Sequence, residues 1–183
     1  FLLPAAQTKD KTAVRPDQMK KLVDELKADH EYVIVDCPAG IEQGFRNAVA
    51  GADKALIITT PEVSAVRDAD RIIGLLEATQ MEQPRLVVNR IRPHMVKRGD
   101  MLDVQDIVDI LAIDLIGVVP DDDSVIVTTN KGEPAVFNES SRAGEAYRRI
   151  ARRISGQQVP FLSLEEEQGV FGRLRKLFGL GSR

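Results

Sequence analysis

Tyr32-Val33-Ile34-Val35-Asp36-Cys37-Pro38-Ala39-Gly40 decides the fold. Four apolar residues, three of them β-branched, run without interruption and stop at a carboxylate. Continuous rather than alternating apolar patterning means burial on both faces, the mark of a central strand in a parallel sheet. Ala55-Leu56-Ile57-Ile58, Leu86-Val87-Val88 and Leu115-Ile116-Gly117-Val118-Val119 repeat the pattern downstream, and Phe1-Leu2-Leu3 adds a further expected strand. Helical spacing fills the gaps. Met19, Leu22, Val23 and Leu26 follow Pro16, which suits a first helical turn. Val63, Val66, Ile72, Ile73, Leu75 and Leu76 mark a helix over Glu62–Thr79. Val104, Ile107, Val108 and Leu111 share one face behind Asp103, an expected N-cap. Ser140–Ile154 places Ala143, Ala146, Tyr147, Ile150 and Ile154 inward, and Gly156 is the expected stop. Strand, helix, strand at this rhythm predicts an α/β fold, a doubly wound and mostly parallel sheet with flanking helices.

The composition agrees. The chain has 183 residues, 43% hydrophobic and 29% charged, enough for one α/β domain with its own core. A single cysteine, Cys37, excludes an intramolecular disulfide framework and fits a reducing cytoplasm. No apolar run approaches the roughly 18–20 residues of a membrane span, and no charged leader with an apolar stretch and cleavage site opens the chain. Phe1-Leu2-Leu3-Pro4, without Met, reads as the end of a buried strand, so a piece of a longer protein is expected.

Charge divides the chain. Net charge is −3, yet residues 169–183 hold Arg173, Arg175, Lys176 and Arg183 with no acid, which leaves −7 on residues 1–168. An acidic body with no basic stripe argues against nucleic acid as a partner. Three organisational parts follow: a body over 1–156, a linker over 157–168 with Pro160 and the run Glu165-Glu166-Glu167, and a segment over 169–183. On a helical wheel of that segment, Val170, Phe171, Leu174, Leu177 and Phe178 share one face. Arg173 and Arg175 flank it and Lys176 lies opposite, which predicts an interfacial amphipathic helix for an anionic membrane surface. A terminal helix packing back on the body is the other reading of the same pattern.

In open parallel sheets ligands bind beyond the carboxyl ends of the strands. Asp36 ends the most apolar run, the Walker-B arrangement in which a carboxylate reaches Mg²⁺, often through water. A helix-capping or loop aspartate gives the same pattern. Pro38-Ala39-Gly40 then supplies a stiff turn and a glycine that permits close backbone approach to a phosphate. Asn89 carries both donor and acceptor for a purine edge, and equally suits a turn. Cys37 has no neighbouring His and reads as a buried, inert thiol rather than a nucleophile; His30 and His94 are isolated, so neither suggests a metal site, and no Ser-His-Asp set is readable.

Val35-Asp36-Cys37-Pro38-Ala39-Gly40-Ile41-Glu42, Pro61-Glu62-Val63-Ser64-Ala65-Val66-Arg67-Asp68-Ala69-Asp70-Arg71, Arg98-Gly99-Asp100-Met101-Leu102, Gly117-Val118-Val119-Pro120 and Gly132-Glu133-Pro134, in this order, resemble the MinD family. These are septum-site-determining ATPases of bacteria and plastids, in the deviant Walker-A class with ParA and nitrogenase iron protein. The resemblance runs over nearly the whole chain and includes the basic-apolar tail. It implies a P-loop NTPase-like fold and a parent that hydrolyses ATP with Mg²⁺. It makes Asp36 the catalytic, Mg²⁺-linked switch II aspartate, and it places Asn89, Pro120, Asp121 and Asp122 around the adenine. Arg67 and Asp68 would lie near the ATP-dependent homodimer face that meets a MinC-like inhibitor and a MinE-like activator. A plain solvated helix face is the alternative for those two residues. The implied location is peripheral, on the cytoplasmic side of the cell membrane or its plastid equivalent.

One family feature is absent from these 183 residues: no G-x-x-x-x-G-K-[ST] occurs. The phosphate loop and its two lysines are expected ahead of Phe1, and the chain alone is expected to be inactive, because nothing in it cradles the β- and γ-phosphates. Two other readings stand beside this one. A chain with no phosphate loop upstream would be a non-catalytic membrane adaptor, and a ParA-like DNA segregation ATPase is disfavoured by the acidic body.

Overall fold

The computed structural model describes residues 1–4, 14–38, 40–81 and 83–164. The amphipathic segment 169–183, with Val170, Phe171, Arg173, Leu174, Arg175, Lys176, Leu177 and Phe178, lies outside the described residues. The chain divides into two compact units. One comprises Phe1–Ala55 and Arg71–Pro84, the other Leu56–Asp70 and Arg85–Arg183.

In the first unit, α1 (Pro16–Asp29) starts on its expected proline and packs against α2 (Gln43–Gly51). Gly51 makes that contact close: a Cβ there would stand 2.8 Å from Val23 Cβ. Lys27 Nζ closes the same corner, donating to the Gly51 carbonyl at 2.9 Å and pairing with Asp53 Oδ1 at 2.8 Å. Val23, Phe45, Ala48 and Gly51 are the buried residues of these helices. The sequence reading missed α2, although Phe45, Ala48 and Val49 carry the helical spacing, because two glycines in nine residues mask it.

The second unit is built on a three-stranded parallel sheet in the order β1 (Leu56–Thr59), β2 (Arg85–Ile91), β3 (Asp114–Pro120). Ile57 pairs with Leu86, and Val87 with Gly117. Parallel neighbours need crossovers. α3 (Val63–Ala78) joins β1 to β2, while α4 (Pro93–Arg98) and α5 (Val104–Leu111) join β2 to β3. After β3 come α6 (Asp123–Asn130), a 3₁₀ turn at Ala135–Phe137, and α7 (Arg142–Ile154). The core gathers Val87, Ile116 and Val119 from the sheet with Ala143, Ala146 and Ile150 from α7. Gly117 lets α7 sit this close, since a Cβ at that position would collide with the Ile150 side chain. The expected caps are present: Asp103 Oδ1 accepts from Asp106 N at 2.7 Å, and Gly156 follows α7 with φ +83°.

Three strand expectations are corrected. Residues 1–3 and 32–35 form no strand; Phe1, Leu2, Tyr32 and Ile34 are exposed, Ile34 at 92%. A strand exists only as a ladder, and no described strand pairs with either run. In 55–58 the strand is real but exposes one face: Leu56 and Ile58 face solvent while Ile57 and Thr59 are buried. Alternate residues of a strand point to opposite faces, so among the described residues only one face of β1 is covered.

Candidate functional site

In the first unit, the loop after residue 35 holds Asp36. Asp36 is exposed and makes no ion pair among the described residues. Gly40 turns the chain at φ +97°, a conformation that suits glycine, and the chain then enters α2 behind Glu42. Ala39 of the expected turn lies outside the described residues. Cys37 is exposed and not buried as expected, because no described strand forms over 32–35 to carry it inward; partial desolvation and then the Asp36 carboxylate push its thiol up. A free carboxylate at a helix-entry loop fits Mg²⁺ held through water, with phosphates and waters as the other ligands. Among the described residues no group of three or more His, Cys, Asp or Glu could hold a metal by itself.

The second unit gathers the remaining strand ends. Asn89 and Arg90 sit at an irregularity in the β2–β3 register between Val88 and Ile91. Arg90 is left-handed at φ +58°, a strained position for a residue with a Cβ. Its N–H donates to Asn89 Oδ1 at 3.0 Å, so the Asn89 side chain braces the bulge. The bulge re-aims Arg90: its Nε meets Asp121 Oδ1 at 3.3 Å, and Arg92 Nε meets Asp121 Oδ2 at 2.5 Å. Burial pushes the Asp121 carboxyl up, but the hydrogen bonds from Arg92 and Arg90 outweigh it and hold it below the usual carboxylate range. Asp121 N also donates to the Ile91 carbonyl at 3.0 Å, which carries the strand pairing past Pro120. The structure thus brings Asn89, Pro120 and Asp121 together and adds Arg90 and Arg92. The signal for those two arginines was present as one charge near the end of an apolar strand and a second just past it.

Asp122 behaves differently. Its side chain caps α6, accepting from Ser124 N at 2.8 Å, and reaches α7, accepting from Ser141 Oγ at 2.9 Å and Ala143 N at 3.0 Å. Burial pushes its pKa up, yet these donors overcome it and bring the group from 3.8 to about 2. The shift corresponds to roughly 2 kcal/mol of stability. A depressed carboxyl stabilises above its unfolded value and loses that stabilisation as pH falls through its folded one. Asp122→Asn should therefore cost about 2 kcal/mol at neutral pH, and the difference from wild type should vanish between about pH 4 and pH 2. Denaturant unfolding at pH 7 and pH 3 checks both; an equal gap at the two pH values would contradict it.

At the carboxyl ends of β1 and β2 a cleft of about 590 Å³ is lined by Pro61, Glu62, Arg90, Arg92, Met95 and Met101 among others. Its size suits a nucleoside-sized ligand or a short peptide. Arg67 and Asp68, on the first two turns of α3, are exposed and form no ion pair among the described residues. No described helix is long and apolar enough to cross a membrane.

A parallel sheet with flanking helices and polar strand ends is the architecture of the ParA/MinD class of P-loop NTPase-like folds. A ParA family ATPase from Chlorobium tepidum shares it at a TM-score of 0.65 and 17% identity, over 82% of this chain and 60% of that one, a likeness of fold alone. The chain belongs to the MinD family of septum site-determining proteins, which act in division-site selection. It is 59% identical over 184 residues to the septum site-determining protein MinD of Bacillus subtilis, covering 100% of this chain and 69% of that protein. The MinD of an Aquifex aeolicus MinC:MinD cell division complex matches with a TM-score of 0.78 and 47% identity, over 82% of this chain and 63% of that one. A Pyrococcus horikoshii MinD solved with Mg-ADP shares the fold at a TM-score of 0.68 and 22% identity, over 76% of this chain and 56% of that one. The chain spans about two thirds of the length of its curated relatives. No family model matches it.

Proposed function

We propose that this chain is the switch II, partner-binding and membrane-targeting part of a MinD-like ATPase. The observation that carries the reading is 59% identity to a septum site-determining protein across the whole chain. In this reading the parent binds ATP and Mg²⁺, dimerises, and settles on the anionic inner face of the membrane through Val170–Phe178. There it recruits a MinC-like inhibitor and is released when a MinE-like activator stimulates hydrolysis. The Aquifex complex supports the inhibitor, and the Pyrococcus structure supports magnesium and nucleotide. Asp36 acts at the metal, and its free carboxylate supports that role. Asn89, Pro120 and Asp121 border the adenine, and Asp122 contributes by fixing the loop that carries them. Arg67 and Asp68 present the inhibitor- and activator-binding face, which their exposure supports.

Dimerisation links nucleotide to membrane. One amphipathic tail gains about 1 kcal/mol from each cation near an anionic surface and binds weakly; pairing two raises avidity by roughly 10²-fold or more. The test is phosphate release by the full-length parent beside the 183-residue chain. The parent should turn over ATP and the chain should not, since no phosphate loop occurs in it. Turnover by the chain alone would misplace the active site. An inert parent that still binds membrane would establish the adaptor reading instead.

A further inference from the structure

The expected linker is not free where it is described. Residues 157–164 have no regular secondary structure, yet they lie along α7 in the opposite direction, held by arginines of that helix. Arg153 Nε donates to the Val159 carbonyl at 2.8 Å. Arg149 Nη1 donates to the carbonyls of Pro160 at 3.0 Å and Phe161 at 3.3 Å. Arg142, at the first turn of α7, donates to the Ser163 carbonyl. The Arg153 guanidinium also stacks 4.1 Å from the centre of the Phe161 ring, and Leu162 packs against the core under α7. The lengths agree: four extended residues from Val159 to Ser163 span about 13 Å, and eleven helical steps from Arg153 to Arg142 about 16 Å.

We propose that Gln157–Leu164 is a strap that sets where the membrane tail leaves the body, holding its root at the N-terminal end of α7. The proposal rests on the membrane reading of residues 169–183. With the strap docked, only residues 165–168 separate the anchored chain from the amphipathic segment; with it released, the separation is the whole of 157–168. Effective concentration falls with roughly the −3/2 power of tether length, so a threefold longer tether lowers the capture of the second tail of a dimer about fivefold. Arg142 and Arg149 are thus positioning residues for a lipid-binding element they do not touch. Arg153 shares this role with a structural one, since its Nη1 also donates to the Ile116 carbonyl in β3 at 2.8 Å.

The experiment uses the full-length protein with ATP and vesicles containing phosphatidylglycerol. Arg142→Gln with Arg149→Gln and Phe161→Ser should lower vesicle affinity about fivefold, and the chain over 157–164 should become open to cleavage by proteinase K. A second variant leaves the strap untouched and inserts eight Gly/Ser residues after Gln168. It should lose the same fivefold with 157–164 still resistant to cleavage, so the outcome does not depend on whether the triple variant folds. Wild-type affinity in the insertion variant, or in a folded triple variant whose strap is cleaved freely, overturns the proposal. Deleting 169–183 separates the two ideas. If vesicle binding survives that deletion, the membrane reading falls and this one with it. If binding is lost on deletion yet unaffected by the insertion, only the strap proposal falls.

Discussion

Leu174→Glu in the full-length, ATP-bound protein is expected to abolish co-sedimentation with anionic liposomes while the body stays folded. Leu174 stands at the centre of the wheel face shared by Val170, Phe171, Leu177 and Phe178. The substitution removes a buried leucine, about 2 kcal/mol, and sets a carboxylate where it must be desolvated, at least about 2 more. Together these amount to a loss of roughly a thousandfold. Arg175→Ala removes one surface charge and should weaken binding only about fivefold, chiefly toward anionic lipid. Added salt should reproduce the arginine result and not the leucine one, since screening weakens charge attraction and leaves apolar insertion intact. If Leu174→Glu sediments like wild type, or lowers the melting temperature of the body, the segment docks on the protein and not on lipid.

Asp36→Ala in the same parent should lower Mg²⁺-dependent ATP turnover at least about 100-fold, with little change in melting temperature. The structure supplies the second half of that statement. The Asp36 carboxylate is exposed and engages no cation among the described residues, so deleting it leaves no buried partner unsatisfied. Asp122 is the control of opposite sign, because its oxygens are occupied by the chain's own donors and its loss should cost stability. Phosphate release and thermal melting measured on both variants would separate metal chemistry from scaffolding. Wild-type turnover in a folded Asp36→Ala protein would exclude the metal role.

What the sequence made legible followed from local physics. The apolar runs at Leu86–Val88 and Leu115–Val119 became buried strands because residues on both sides of them must be covered. Pro16, Asp103 and Gly156 marked helix boundaries because each solves an end problem of the backbone. The run 32–35 is as apolar as Leu86–Val88 and forms no strand, since composition states a need for burial and pairing decides whether it is met. The bulge at Asn89–Arg90 left no mark beyond a polar pair, Asn89-Arg90, in an apolar strand. The strap was read as a linker for a similar reason: its acceptors are backbone carbonyls, which every residue carries, and only the arginines of α7 hint at them. In the sequence Asp121 and Asp122 carry the same expectation, a place around the adenine. The fold gives Asp121 to two arginines and Asp122 to two helix starts, a distinction that depends on residues 19 to 31 positions away.

That second aspartate has a mechanical meaning. One carboxylate caps α6 and holds Ser141 and the first turn of α7, so the loop beyond β3 and the root of α7 are a single rigid part. A hinge would let the loop adjust to whatever lies at the strand ends while the helix stayed still. Here the loop and the start of α7 share one carboxylate as their fastening, so a shift of the loop at Asp122 pulls on Ser141 and Ala143 directly.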